Sequence, residues 1–286
     1  MMAFVKKFLS GFTILILTGC TQAGVGVANL PARFGDLEIK KDISYGLEEE
    51  HKLDIYIPSS AKDKKLPVLV FFYGGRWSEG SKDMYAFVGE AFAQKDYIVV
   101  IADYQKYPDI KFPVFVEDGA RAVAWVYNHI EDYNGDAGQI FLSGHSAGAH
   151  TAALLTADER YLAAEGIDKP IITAFAGLAG PYDFVPDAED LKDIFGPPER
   201  YPQMRVTTFI DGSEPPMLLL WGDNDEAVWQ RNIDLLEKKI KEENGVVEAK
   251  IYKGMNHVDI VAGLTWFFRG RSPVFNDVIE FFDQYR

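Results

Sequence analysis

Two kinds of apolar pattern divide the chain. Near its start, Leu37 to Tyr45 and Leu53-Asp54-Ile55-Tyr56-Ile57 alternate apolar with polar positions. That two-residue period belongs to strands with one buried face, and predicts an antiparallel pair. Further on the alternation gives way to short unbroken runs: Val68-Leu69-Val70-Phe71-Phe72, Tyr97 to Ile101, Ile140-Phe141-Leu142, Ile171 to Phe175 and Met217 to Trp221, with a last strand-like stretch at Val246 to Tyr252. Runs of this length suit strands buried on both faces of a parallel sheet. Between them lie segments of helical periodicity: Met84 to Gln94, Phe115 to His129, Ala147 to Thr156, Ala227 to Glu243 and Val274 to Tyr285. In the fourth, Leu235, Leu236, Lys239 and Ile240 form one stripe read as apolar, while Glu237, Lys238 and Lys241 face water.

An antiparallel pair followed by alternating strands and helices predicts an α/β fold, its mostly parallel central sheet covered by helices on both faces. No Ser- or Pro-rich linker interrupts the chain after residue 34, so residues 37–286 read as one domain. The least regular stretch, 177–214, carries Pro181, Pro186, Pro197, Pro198 and Pro202 and a charged run from Asp187 to Asp193. Lying between two expected strands, it reads as a short cap over a pocket.

The N-terminus has a different texture. Lys6 and Lys7 precede an apolar run, Phe8 to Leu17, too short to span a bilayer as a helix. Small residues follow in Leu17-Thr18-Gly19-Cys20, which holds the only cysteine of the chain. A basic head, a short apolar middle and a small-residue exit describe an export signal over residues 1–19, with residues 20–36 as a tether. The Leu-Thr-Gly-Cys ending resembles a bacterial lipoprotein signal. That resemblance implies acylation of Cys20 and a lipid-anchored protein of the bacterial cell envelope, at the outer membrane or the periplasmic face. An acylated Cys20 would leave no thiol for a disulfide or for catalysis.

Composition narrows the partners. The formal net charge is −14 over 286 residues, and loss of Lys6 and Lys7 takes it to −16. Phosphate contacts need a basic surface, so nucleic-acid binding is excluded. An acidic surface is also repelled by anionic head groups, so any membrane attachment would come through acyl chains.

Chemistry concentrates at Gly144-His145-Ser146-Ala147-Gly148, between the strand Ile140-Phe141-Leu142 and the helix from Ala147. At a strand-to-helix turn, G-x-S-x-G has a mechanical meaning. The glycines clear space for a sharp turn, the serine hydroxyl stands exposed, and the helix N-terminus with the Ala147 N–H can stabilise an oxyanion. A serine needs a base. Of the five histidines, His51 precedes the parallel strands, His129 ends a solvated helix, and His145 and His150 are turned away from the hydroxyl. His257, on a loop after the last strand, is the candidate base. An acid to orient it is offered by Trp221-Gly222-Asp223-Asn224-Asp225, where either aspartate is available. Tyr73-Gly74-Gly75-Arg76-Trp77, directly after the strand ending at Phe72, offers amides of Gly74 and Gly75 for close approach to a substrate.

In this combination the chain resembles the α/β-hydrolase superfamily, and within it the esterases and lipases related to hormone-sensitive lipase and the feruloyl-esterase-like bacterial hydrolases. Their order of motifs appears as Tyr73 to Trp77, Phe112-Pro113 through Asp118, Ala122 and Trp125, Gly135-Asp136 with Ile140, the GHSAG turn, Gly222 to Asp225, and Gly254 to His257. The resemblance implies an α/β-hydrolase fold, a triad of Ser146, Asp225 and His257, and an oxyanion hole of Gly74, Gly75 and Ala147. It selects Asp225 over Asp223. The departure is Tyr73, where the family usually has a histidine that braces the loop. Asp118 matches a family position too, and reads as a buried structural hydrogen-bonding group. The expected activity is hydrolysis of small-molecule carboxylic esters through an acyl-enzyme, without metal or cofactor. Phe184, Phe195 and Tyr201 in the cap suggest a modest, partly aromatic pocket for small or medium acyl groups. The alternatives are amide, peptide or formamide hydrolysis on the same triad, and a catalytically silent envelope binding protein on this fold.

Overall fold

The computed structural model describes residues 24–62, 64–168 and 170–286. An eight-stranded sheet forms the centre: β1 (Leu37–Ser44), β2 (Lys52–Pro58), β3 (Leu66–Phe72), β4 (Ile98–Ala102), β5 (Gly135–His145), β6 (Ile172–Leu178), β7 (Met217–Gly222) and β8 (Val247–Tyr252). Their spatial order is β1-β2-β4-β3-β5-β6-β7-β8. The pairs β1–β2 and β2–β4 are antiparallel, and every pair from β4 onward is parallel. The antiparallel and parallel parts fall where the two patterns put them, but β2 departs from the expected one-sided burial: Leu53 to Pro58 are all buried, Asp54 included. In β1 residues are half-buried or exposed, whereas every residue of β3, β4 and β7 is buried.

Helices flank the sheet, among them α1 (Leu30–Phe34), α2 (Ala86–Ala93), α3 (Val114–His129), α4 (Ala147–Ala157), α5 (Arg160–Ala164), α6 (Glu189–Phe195), α7 (Tyr201–Met204), α8 (Arg231–Glu242), α9 (His257–Ala262) and α10 (Val274–Asp283). This is the α/β-hydrolase fold, with antiparallel strands at the N-terminal edge. Small residues let α4 come close to the sheet. A Cβ on Gly148 would lie 2.1 Å from the Phe72 carbonyl oxygen, so the first turn of α4 sits directly on the end of β3.

Two boundaries differ from the sequence pattern for identifiable reasons. Helix α8 starts at Arg231 and not at Ala227, because the amides of Ala227 and Val228 are turned onto Asp225 Oδ1, each at 2.8 Å. Residues 24–34, expected within a tether, are largely helical and docked. Asn29 fixes them: its side chain donates to the Asp83 carbonyl at 2.9 Å and accepts from the Phe87 amide at 2.8 Å. Ala28 and Ala32 are buried beside it, small enough to allow close packing. The expected signal over 1–19 and Cys20 lie outside the described residues.

The chain leaves β3, β5 and β7 at the same edge of the sheet, because these strands run parallel. The glycine pair, Ser146 and Asp225 are therefore delivered to one side, the usual place for a site in such sheets. The stretch 177–214 crosses that edge through α6 and α7. Leu191, Ile194, Phe195, Tyr201 and Met204 are buried beneath it.

Candidate active site

Ser146 caps α4 with φ 54° and ψ −122°, a conformation that side chains rarely adopt. Its amide donates to the Leu178 carbonyl at 2.9 Å and its carbonyl accepts from the His150 amide at 3.1 Å, so the turn is held from both sides. The flanking glycines are required by close approach. A Cβ on Gly144 would come within 2.5 Å of the Gly148 carbonyl group. The Ser146 side chain is half-exposed and forms no hydrogen bond with another described residue.

Asp225 and His257 meet across 32 residues of sequence, with His257 Nδ1 2.7 Å from Asp225 Oδ2. A carboxylate only accepts, so Nδ1 carries the proton and Nε2 keeps a free lone pair. Asp225 Oδ1 is filled by the Ala227 and Val228 amides. Burial pushes the Asp225 pKa up. The hydrogen bonds from His257 and from these amides outweigh that push and leave the carboxyl below its usual range. Asp225 is thus an ionised, fully bonded clamp on one edge of the imidazole. Asp223 does something different: its Oδ1 accepts from the Gly254 amide at 2.5 Å and stabilises the loop ahead of His257.

His257 is not on a loop. It is the first residue of α9, and the preceding Asn256 forms a capping box with Asp259, both halves of which are present. The signal was available as Asn256-His257-Val258-Asp259. The cap fixes the backbone direction at His257 and so the approach of its ring to Asp225.

The glycine pair lies alongside. A Cβ on Gly74 would reach within 3.1 Å of Ser146 Cβ and 2.9 Å of His145 Nδ1, so only glycine fits. Gly75 has φ 141°, and Arg76 and Trp77 follow at 54° and 59°, a tight reversal closed by Gly75 accepting from the amides of Ser78 and Glu79. The amides of Gly75 and Ala147 have no partner among the described residues. The Tyr85 phenolic oxygen lies near the Gly74 amide. Burial raises that phenol to about 12, against a smaller opposing effect of the nearby Gly74 amide.

Tyr73 fills the place of the expected histidine with its own set of contacts. Its ring stacks between Tyr104 and Tyr85, at centroid distances of 4.8 and 5.8 Å. Its hydroxyl accepts from Lys106 Nζ at 3.2 Å, and its carbonyl accepts from the Tyr104 hydroxyl at 2.9 Å. The phenol braces the loop from below, and none of these contacts was legible from Tyr73 alone.

Of the remaining histidines, three are committed elsewhere and His145 lies against the site. His51 pairs with Asp118 at 2.8 Å, in a buried network completed by Arg121 and the Gln105 amide. His129 stacks on Trp125. His150 points away from Ser146 and donates Nε2–H to the Met204 carbonyl at 2.7 Å. His145 reaches the His257 carbonyl oxygen at 3.1 Å. Over α4, Trp77 packs against Phe115, Phe184, Phe195 and His150, so the cap aromatics close directly on the glycine loop. Arg76 adds a bidentate pair with Asp190 of α6, at 2.7 and 3.0 Å.

The arrangement has the parts for nucleophilic acyl transfer: a half-exposed hydroxyl on a strained turn, an oriented imidazole and free amides. Comparison with known proteins is consistent with it. The family model described as BD-FAE matches residues 53–240. The chain is 27% identical over 300 residues to isoprenylcysteine alpha-carbonyl methylesterase ICME of Arabidopsis thaliana, covering 95% of this chain and 67% of that protein. It is 38% identical over 114 residues to kynurenine formamidase of Danio rerio, covering 40% of this chain and 37% of that one. Among solved structures, esterase B from Lactobacillus Rhamnosis aligns with a TM-score of 0.76 and 17% identity, covering 96% of this chain and 95% of that one, a likeness of fold. The chain spans about half to two thirds of the length of the curated relatives it matches over most of its own length.

Proposed function

The chain belongs to the BD-FAE family, and from that premise we propose that it is a serine hydrolase of carboxylic esters. Ser146 Oγ attacks the ester carbonyl while His257 Nε2 takes its proton. Asp225 holds the Nδ1–H, which keeps Nε2 free and stabilises the imidazolium that forms. The amides of Gly75 and Ala147 receive the oxyanion, and Gly74 gives the carbonyl room to approach. Collapse of the tetrahedral intermediate returns the proton from His257 to the departing alkoxide. Water, deprotonated by the same nitrogen, then releases the acid and regenerates Ser146. The observation that carries this reading is the strained Ser146 turn at the sheet edge that also receives the Asp225–His257 pair.

Turnover of a nitrophenyl ester series by the purified protein and by Ser146→Ala tests it. Hydrolysis is expected for the parent and near-background rates for the variant. Equal rates in both would remove the reading and favour a silent binding protein. The trapped cap aromatics support small or medium acyl groups, so faster turnover of long-chain than of short-chain esters would overturn that part. A formamide or amide substrate is the second reading, favoured by the likeness to a formamidase. Rates on an ester and an anilide of one acyl group separate the two.

For location, acylation at Cys20 and attachment to the bacterial cell envelope follow from the Leu17-Thr18-Gly19-Cys20 motif. Cys20→Ser is expected to move the protein out of the membrane fraction; retention there would contradict the anchor.

A further inference from the structure

His145 stands immediately before the nucleophile, and its ring is neither solvated nor idle. It is 6% exposed, at the end of β5. Its Nε2 lies 3.1 Å from the main-chain oxygen of His257, a contact that spans 112 residues of sequence. A carbonyl oxygen only accepts, so the proton sits on Nε2 and Nδ1 is left as an acceptor. That acceptor faces the Tyr85 hydroxyl at 3.5 Å. Tyr85 in turn stacks on Tyr73, at the head of the glycine loop, with ring centroids 5.8 Å apart, and a Cβ on Gly74 would lie 2.9 Å from His145 Nδ1. The His145 and His257 rings are 4.8 Å apart and tilted by 42°. One imidazole therefore touches the strand that delivers Ser146, the helix start that delivers His257 and the loop that delivers Gly74 and Gly75.

We propose that His145 is a positioning residue, whose Nε2–H holds the His257 main chain at its distance from Ser146 and whose Nδ1 ties this frame, through Tyr85, to the oxyanion loop. The inference rests on the triad reading above. Burial, reinforced by the nearby His257, lowers the His145 pKa to about 3. The ring is then neutral wherever the enzyme would work. A permanently charged donor at the same place would oppose formation of the His257 imidazolium, which explains why a neutral donor suits this position. The titratable groups facing His145 are Tyr85 and His257, with Asp225 behind His257.

Three variants test the proposal: His145→Ala, His145→Gln and Tyr85→Phe, with Ser146→Ala in the same assay. Loss of the anchor should displace the base by a fraction of an ångström to about 1 Å, for which a fall of about 10- to 100-fold in kcat is expected in His145→Ala, with KM within about threefold. Glutamine places an amide N–H near the position of Nε2 and should recover kcat to within about fivefold of the parent. Tyr85→Phe, which leaves the His257 anchor in place, should fall between the two. The low-field proton resonance of the Asp225–His257 hydrogen bond should broaden in His145→Ala and persist in His145→Gln. An unchanged kcat in His145→Ala overturns the proposal. So does equal loss in the alanine and glutamine variants with the low-field resonance intact, because that pattern belongs to packing. If the alanine variant does not fold, the glutamine variant and the resonance decide alone. Full activity in Ser146→Ala would remove the triad reading itself, which is a separate failure.

Discussion

The molecule contains two histidine–aspartate pairs of nearly equal length, and they serve opposite ends. His257 Nδ1 meets Asp225 at 2.7 Å, and His51 Nε2 meets Asp118 at 2.8 Å. In the second pair the side chains are 3% and 2% exposed, and the other ring nitrogen accepts from the Glu48 amide at 3.3 Å. Asp118 also binds Arg121 and the Gln105 amide, and both ring nitrogens of His51 are taken, so this imidazole has no free lone pair for chemistry. In the first pair the His257 side chain is 18% exposed, and its Nε2 has no partner among the described residues. Distance and residue type are the same in both. What separates the proposed base from the brace is the state of the second nitrogen and its access to a substrate.

That contrast is open to attack in solution. Asp225→Asn should reduce kcat by about 10⁴-fold, since an amide no longer enforces the Nδ1–H tautomer. Asp118→Asn should leave kcat within about threefold, read with the same nitrophenyl ester. If both variants lose activity equally, the distinction between the pairs fails. The next largest effect is expected in stability. His51→Ala removes a partner from a buried carboxylate and should cost about 3 kcal/mol in denaturant unfolding, with kcat little changed in the surviving folded fraction.

A third histidine, His150, sharpens the comparison because it is buried without any carboxylate. Burial is the main cause lowering its pKa to about 4, against the smaller opposing effect of its bond to Met204. The sign follows from where each state takes up the proton. As pH falls from about 6.5, the unfolded chain protonates this group while the folded chain does not, so stability declines until the folded group titrates near pH 4. The decline from this group amounts to about 3 kcal/mol. His150→Phe should flatten that part of the acid profile, measured as the midpoint of urea unfolding between pH 7 and 4. An equally steep profile in the variant would assign the acid sensitivity elsewhere.

The smallest effect is expected at the cap. Arg76 and Asp190 are both substantially exposed. Arg76→Ala should therefore change stability by less than about 1 kcal/mol. Its influence on turnover, through the loop that carries the Gly75 amide, should be within about fivefold. A larger loss would mean that the cap governs the site more than the buried frame does.

How much of this was legible in the sequence depended on how local each feature is. The elbow was readable because Gly144, Ser146 and Gly148 act within one turn between a recognisable strand and helix. The antiparallel start and the parallel remainder were readable from alternating and unbroken apolar runs, although the alternation of β2 marked no wet face, since Asp54 is buried with its neighbours. Asp225 emerged from Asp223 only through family resemblance, since either aspartate suits a turn after β7. The start of α9 at His257 was missed although Asn256 and Asp259 spell its capping box. Other features depend on distant contacts that no local pattern carries. The Tyr73 cradle needs Tyr85, Tyr104 and Lys106, the docking of residues 24–34 needs Asn29 against Asp83 and Phe87, and the His145 contact needs a carbonyl 112 residues away.

The central claim is that one serine among many is chemically activated. Reaction of the full-length protein with a fluorophosphonate, followed by peptide mass spectrometry, addresses it directly. The account predicts a single phosphonyl adduct on the peptide containing Ser146, absent in Ser146→Ala and strongly slowed in His257→Ala. An adduct elsewhere, or no adduct on the folded protein, would contradict it.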